Sequence, residues 1–197
     1  PAARNYYGQA LDIYTKKFGI NHPSNARAHD EIGQLFYEEG RYDSALYHLQ
    51  MSLLIWSHID KKTYRLSYIY NDMGNVSLKL HNFSNAIELY EKSLAINRHY
   101  FGEKHSLVAE CYLNIANVYF TKGDYGRSLA YNDTAIFALT RDSGSGRLVD
   151  ILDESKWVNA QEMKGDIYQG LSKRHPKGDG YLELALAAYE EATQAVT

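Results

Sequence analysis

The strongest constraint in this sequence is that it repeats. Ile32-Gly33-Gln34-Leu35-Phe36 aligns with Met73-Gly74-Asn75-Val76-Ser77 and with Ile115-Ala116-Asn117-Val118-Tyr119. Further on, Glu39-Gly40-Arg41-Tyr42-Asp43-Ser44-Ala45-Leu46 aligns with Leu80-His81-Asn82-Phe83-Ser84-Asn85-Ala86-Ile87 and with Lys122-Gly123-Asp124-Tyr125-Gly126-Arg127-Ser128-Leu129. The small residues Gly33, Gly74 and Ala116 stand 41 and 42 positions apart, and a fourth copy, Lys164-Gly165-Asp166-Ile167-Tyr168, follows after 49. Self-similarity at such a period means a stack of helical or strand units, each burying its apolar face only against its neighbours.

Each repeat reads as two helices. The first carries a small residue where a neighbouring helix must come close. A short turn follows, with Gly40 or Gly123 placed to take positive φ at a helix C-terminus. The second helix opens with an aromatic (Tyr42, Phe83, Tyr125) and then a small residue (Ala45, Ala86, Ser128). Ile87, Tyr90 and Leu94 form an apolar stripe at helical spacing, and such large and small positions let antiparallel helices interdigitate. Proline, with only three in the chain, does not interrupt long helices.

The pattern resembles the tetratricopeptide repeat, whose common form is about 34 residues long. The longer period, with Phe18-Gly19-Ile20-Asn21-His22-Pro23 and Phe101-Gly102-Glu103-Lys104-His105-Ser106 between repeats, is similar to the kinesin-light-chain subtype. Tyr7, Ala10, Leu11, Ile13, Phe18, Gly19, His22, Pro23, Ala26, Gly33, Gly40, Tyr42 and Ala45 carry the resemblance. It implies an all-α fold, a right-handed α-solenoid of antiparallel helix hairpins. Residues 1–141 are expected to form the array: a truncated first repeat with a helix over 2–18, then repeats at 24–58, 65–100 and 106–140. Residues 142–149, in the Ser/Gly-containing stretch Arg141 to Val149, read as a flexible linker. Residues 150–197 read as an atypical terminal helix pair, the helices at 150–171 and 180–196. Gly165-Asp166-Ile167-Tyr168 followed by Leu184-Ala185-Leu186-Ala187-Ala188-Tyr189 resembles the segment that precedes the protease domain of bacterial CHAT proteins, and related arrays precede sensor histidine kinases.

The resemblance also implies a concave groove lined by the first helix of each repeat. Carried over residue by residue, those helices present Arg27, Asp30, Gln34 and Tyr37, then Tyr68, Asn71, Asn75 and Leu78, then Glu110, Leu113, Asn114, Asn117 and Phe120. The expected partner is a protein or peptide held in that groove, with an adjoining domain of the parent chain as a further contact. An asparagine side chain offers both a donor and an acceptor, so Asn71, Asn75, Asn114 and Asn117 could bridge the backbone of an extended peptide without reading its sequence. The plain alternative is that they satisfy local backbone groups or face water. A basic clamp for a terminal carboxylate needs Lys or Arg in several repeats, and only Arg27 qualifies. A structural array that packs on its own downstream domain, or on a copy of itself, remains the second reading.

Other chemistries find little support. The formal charge of -3 lacks the concentrated basic surface that nucleic acid requires. No apolar run approaches the roughly 18 residues of a membrane span. The first residues read as the middle of a helix, so the native start is expected upstream. A cytoplasmic location is expected, or a periplasmic one if the parent is a sensor kinase. The lone Cys111 excludes an internal disulfide and reads as core packing. His22 and His105 occupy equivalent positions between repeats and read as structural. The other histidines show no metal-ligand spacing, and neither a metal nor a cofactor is expected. Gly144-Ser145-Gly146-Arg147 lacks the Lys-Ser/Thr ending of a phosphate loop, and Lys173 to Lys177 read as a solvated basic loop. No residue set calls for an enzyme.

Overall fold

A computed structural model describes residues 2–60, 63–141, 150–175 and 180–194. The helices are α1 (Ala2–Phe18), α2 (Pro23–Glu38), α3 (Tyr42–Ile59), α4 (Arg65–Lys79), α5 (Phe83–Phe101), α6 (Ser106–Thr121), α7 (Tyr125–Leu139), α8 (Glu154–Arg174) and α9 (Tyr181–Gln194). They belong to two compact units, Pro1–Ile96 and Asn97–Thr197. Among the described residues no helix is long and apolar enough to cross a membrane.

The hairpins are closed by close approach at the repeated small residues. In the N-terminal unit, Gly33 of α2 lies under Leu49 of α3, and Gly74 of α4 lies under Tyr90 of α5. In the C-terminal unit Gly165 of α8 lies under Tyr189 of α9 in the same manner. Ala45, Ala86 and Ser128, at the matching place on the second helices, are all fully buried. Ser128 departs from alanine without leaving its hydroxyl unsatisfied, because Oγ donates to the carbonyl of Ala116 at 2.9 Å. Ile32, Leu49, Ile55, Ile69 and Val76 form the centre of the N-terminal core.

The turns inside the hairpins α2–α3, α4–α5 and α6–α7 are the same Schellman motif. Arg41 N–H reaches the carbonyl of Phe36, Asn82 that of Ser77 and Asp124 that of Tyr119, at 2.8 to 2.9 Å. The residue before each donor has positive φ: Gly40 at 73°, His81 at 57° and Gly123 at 74°. His81 therefore holds a left-handed conformation where the other repeats use glycine.

The segments between repeats explain the long period. Phe18 stacks on His22 at 4.5 Å and Phe101 on His105 at 4.4 Å. Each imidazole then caps the following helix: His22 Nδ1 accepts from Ser24 N–H at 3.2 Å, and His105 Nδ1 from Leu107 N–H at 3.1 Å. Both histidines are thus structural, and the additional residues of the period build a stacked cap for the next helix.

In the C-terminal unit the terminal pair packs on α7. Asn132 Nδ2 donates to the carbonyl of Ala160 at 3.0 Å, and Lys164 pairs with Asp133 at 2.8 Å. A two-residue antiparallel bridge, β1 (Thr140–Arg141) with β2 (Asp150–Ile151), stands where no strand was expected. The linker expected at 142–149 lies outside the described residues. Cys111 is buried, with Asn97 Nδ2 donating to its sulfur at 3.4 Å.

Candidate functional site

The first helices of neighbouring repeats face one another in the N-terminal unit. From α2 come Arg27, Asp30, Glu31 and Gln34, at offsets of three, four and seven that share one helical face. From α4 come Arg65, Tyr68, Ile69 and Asp72, at the same offsets. With Trp56 of α3 they line a cavity of about 270 Å³. Gln34 Nε2 donates to Asp72 Oδ2 at 3.2 Å, tying α2 to α4. The guanidinium of Arg65 lies over the ring of Trp56 at 5.0 Å and that of Tyr64 at 5.7 Å.

Asp30 is the electrostatic centre of this cavity. Its Oδ1 is buried without a hydrogen-bond partner. Burial pushes its pKa up to about 7, and the charges of Asp72 and Glu31 push the same way, against the nearby Ser52 and Trp56. The carboxyl is therefore partly protonated at neutral pH. A titratable pair, His29 of α2 and His48 of α3, lies between those two helices. His29 Nδ1 and His48 Nδ1 are 2.9 Å apart and share one hydrogen bond. Burial, and then the charge of His48, lowers the His29 pKa to about 4, and burial lowers that of His48.

The residues expected to line a groove divide as follows. Arg27, Asp30, Gln34 and Tyr68 are brought together at the cavity. Tyr37 is half-buried against Tyr42, with ring centroids 5.9 Å apart. Asn71, Asn75 and Leu78 are partly exposed along α4. Asn75 Oδ1 accepts from the buried Tyr90 hydroxyl at 2.8 Å, which ties that oxygen to the packing of the α4–α5 hairpin. In the C-terminal unit Asn114, Asn117 and Phe120 are partly exposed on α6. Glu110 pairs there with Lys156 at 3.3 Å. Leu113 corrects the expectation: it is 4% exposed and belongs to the core, because it continues the buried stripe of Ala109 and Ala116.

Sequence reasoning missed Trp56, Arg65, Ile69, Asp72 and Glu31. The α4 residues were open to discovery, since Arg65, Tyr68, Ile69 and Asp72 repeat at helical spacing beside Asn71. Trp56 was not, because it comes from a second helix. Among the described residues there is no group of three or more His, Cys, Asp or Glu side chains able to hold a metal ion.

Known proteins place this architecture. The model of the tetratricopeptide repeat matches residues 1–56 and 65–136. Two Arabidopsis thaliana proteins, KINESIN LIGHT CHAIN-RELATED 2 and KINESIN LIGHT CHAIN-RELATED 1, are 28% identical over 129 residues and 26% identical over 98. Those alignments take in 64% and 50% of this chain, but only 19% and 16% of the two relatives. The crystal structure of BtubC (BKLC) from P. vanneervenii superposes with a TM-score of 0.78 at 19% identity, over 99% of this chain and 72% of that one. A Podosopora anserina protein of nearly identical TPR-like repeats gives 0.72 at 16% identity, over 96% of this chain and 87% of its own. The chain belongs to the tetratricopeptide repeat family, and its helix hairpins are similar to those of kinesin-light-chain-related proteins.

Proposed function

We propose that the first-helix faces of this chain dock an extended or helical segment of a protein partner. Tetratricopeptide repeats bind protein or peptide partners, and the observation that supports docking here is the cavity between α2 and α4. It is mixed in polarity, with the charged and polar residues Arg27, Asp30, Glu31, Gln34, Arg65 and Asp72 standing over the core residues Trp56 and Ile69. In the N-terminal unit Arg27, Asp30, Gln34 and Tyr68 form the anchor, with Tyr37, Asn71, Asn75 and Leu78 beside it. Asn75 offers its Nδ2 to the partner's backbone. In the C-terminal unit the corresponding residues are Asn114, Asn117 and Phe120.

The chain spans less than a fifth of the plant relatives named above. We place it as the sensing or docking region of a larger bacterial signalling protein, of the CHAT-protease or sensor-kinase kind, on the resemblance of its terminal helix pair to the segment before CHAT protease domains and of its array to those that precede sensor histidine kinases. The expected compartment is the cytoplasm, or the periplasm for a sensor-kinase parent.

A purely structural role, packing on a downstream domain or on a second copy, is favoured by the exposed apolar residues Ile13 and Phe18 of α1 and Leu182 and Leu186 of α9. Affinity capture from native lysate separates the two readings. A partner held by the wild type and lost by a folded Tyr68→Ala/Asn117→Ala variant supports docking on the first helices. A partner set unchanged by the variant supports the structural role.

A further inference from the structure

Helix α8 is longer than the first helices of the other hairpins, and its extra length builds a cavity in the C-terminal unit. Helices α2, α4 and α6 end five residues beyond Gly33, Gly74 and Ala116, at Glu38, Lys79 and Thr121. Helix α8 ends nine beyond Gly165, at Arg174. The difference is about one helical turn. That turn reaches the α6–α7 connection, where Leu171, Arg174 and His175 line a cavity of about 370 Å³ together with residues 122–126.

Close packing fixes the guanidinium of Arg174 there. A Cβ on Gly170 would stand 2.5 Å from the Tyr125 ring, so α8 touches the start of α7 directly. The Arg174 guanidinium lies over the same ring, 4.6 Å from its centroid. A Cβ on Gly123 would stand 2.7 Å from Arg174 Nη2, so only glycine leaves room for the guanidinium at that turn. Stacking on a ring holds the plane of a guanidinium and leaves N–H donors at its edge.

The charges of this cavity do not cancel. Lys122, Arg174 and His175 line it with a single carboxylate, Asp124. Asp124 is bound elsewhere: Oδ1 accepts from Arg127 N–H at 3.1 Å and Oδ2 from Arg127 Nε at 2.6 Å. Those bonds, the backbone one first, hold its carboxyl below the ordinary range, and the charge of Lys122 adds to the effect. Among the described residues Lys122 and Arg174 have no carboxylate within ion-pair distance. They rest on the rings of Tyr119 and Tyr125, which carry no net charge to offset theirs. Three cations, Lys122, Arg127 and Arg174, against one carboxylate leave two positive charges. A cation after a helix C-terminus complements the helix dipole, which accounts for Lys122 or Arg174 alone but not for their meeting in one cavity.

We infer that this cavity binds a phosphate monoester group, held by Arg174 and Lys122 with His175 beside them. A phosphate monoester carries about −1.5 to −2 at neutral pH and so matches two cations, where a carboxylate would leave one over. The guanidinium fork pairs with two phosphate oxygens at once. The volume falls within the ~300–1,000 Å³ of sites that hold a small ligand. The inference does not rest on the docking reading above.

The test records amide NMR spectra of the whole chain at fixed ionic strength with three probes: inorganic phosphate, a five-residue peptide of alanines around one phosphoserine, and the same peptide with glutamate at that place. Both phosphate probes are expected to shift the amides of residues 122–126 and 171–175 and to saturate. Arg174→Gln and Lys122→Gln should each weaken binding by about tenfold. Lys173→Gln, an exposed neighbour that does not line the cavity, should leave it unchanged. A phosphopeptide held more tightly than inorganic phosphate identifies a phosphorylated segment as the source, and equal affinities identify a free phosphate group. A glutamate peptide bound as tightly as the phosphopeptide would overturn the monoester. Shifts that do not saturate, that lie elsewhere, or that respond to Lys173→Gln as much as to Arg174→Gln would overturn the site. The probe comparison uses the wild type, so it stands even if a variant fails to fold.

Discussion

Gly74→Ala is the sharpest probe of how these hairpins close. A Cβ built on Gly74 would stand 2.5, 2.8 and 3.0 Å from Cε1, Cδ1 and Cζ of Tyr90. Carbon atoms in favourable contact keep about 3.5–4.0 Å, so the ring would have to retreat by roughly 1 Å. It has little room to do so. Tyr90 is fully buried, and its hydroxyl is fixed to Asn75 Oδ1 at 2.8 Å. Overpacking of this kind costs about 1–3 kcal/mol. Breaking the Tyr90 hydrogen bond adds about 1 kcal/mol. Alanine returns about 1 kcal/mol through its better helix propensity. The net expectation is a loss of about 1–3 kcal/mol, or roughly 2–12 °C in Tm for a chain of this size. Gly8→Ala in α1 is the control, because nothing lies within 4 Å of the Cβ it would gain. That change should be neutral or stabilising by up to about 1 kcal/mol. Thermal melts followed by circular dichroism read both. A Gly74→Ala protein as stable as the wild type, or a Gly8→Ala protein equally damaged, would refute the packing argument.

Three further outcomes follow from the polar groups. Asp30, with its pKa raised from an ordinary 3.8 to about 7, holds a proton in the folded state that the unfolded chain releases. Its contribution is fully present below pH 4 and is lost as pH rises through about 7, a swing of up to about 4 kcal/mol. Asp30→Asn should therefore gain more stability over the wild type at pH 8 than at pH 5 in urea titrations; a constant difference would refute the assignment. His29 has the opposite sign. Its lowered pKa, about 4, gives stability that is present above pH 6.5 and lost as pH falls towards 4, so acid unfolding of Asp30→Asn should steepen across that window and flatten again when His29→Asn is added. Finally, His105→Ala removes the cap of α6 and its stacking on Phe101, and should cost about 1 kcal/mol. His58→Ala, an exposed site, should cost nothing measurable, and equal melts for the two variants would contradict the capping role.

Much of the fold could be read from spacing because the packing itself repeats. Gly33 and Gly74 each meet a large residue sixteen positions on, Leu49 and Tyr90, so the same contact left the same mark twice in the sequence. Phe18 with His22 and Phe101 with His105 were legible as equivalent positions, though not as stacked caps, since that requires the ring geometry. His81 was hidden because its positive φ is a backbone fact that glycine normally signals. The bridge of Thr140–Arg141 with Asp150–Ile151 was hidden because two residues per strand are too few to show a period.

The candidate site was legible only by half. Arg27, Asp30, Gln34 and Tyr68 follow from assigning the groove to first helices, and the structure gathers them in one cavity. That assignment could not supply Trp56, which reaches the cavity from α3. It also placed Leu113 with its neighbours Asn114 and Asn117, although Leu113 stands three before Ala116 and four after Ala109 and so falls on the buried stripe. A helical face is about a third of the circumference, and adjacent positions differ in which side of its edge they fall.

The most direct test of docking compares two exposed tyrosines on opposite kinds of helix. Tyr68, on first helix α4, is 46% exposed, and Tyr47, on second helix α3, is 57% exposed. Each is replaced in turn by the photo-crosslinker p-benzoyl-phenylalanine, and the chain is irradiated with the partner captured from lysate. Docking on the first helices predicts a crosslinked product from position 68 and none from position 47. A product from position 47 alone would contradict it and move the binding surface to the outer face of the hairpins.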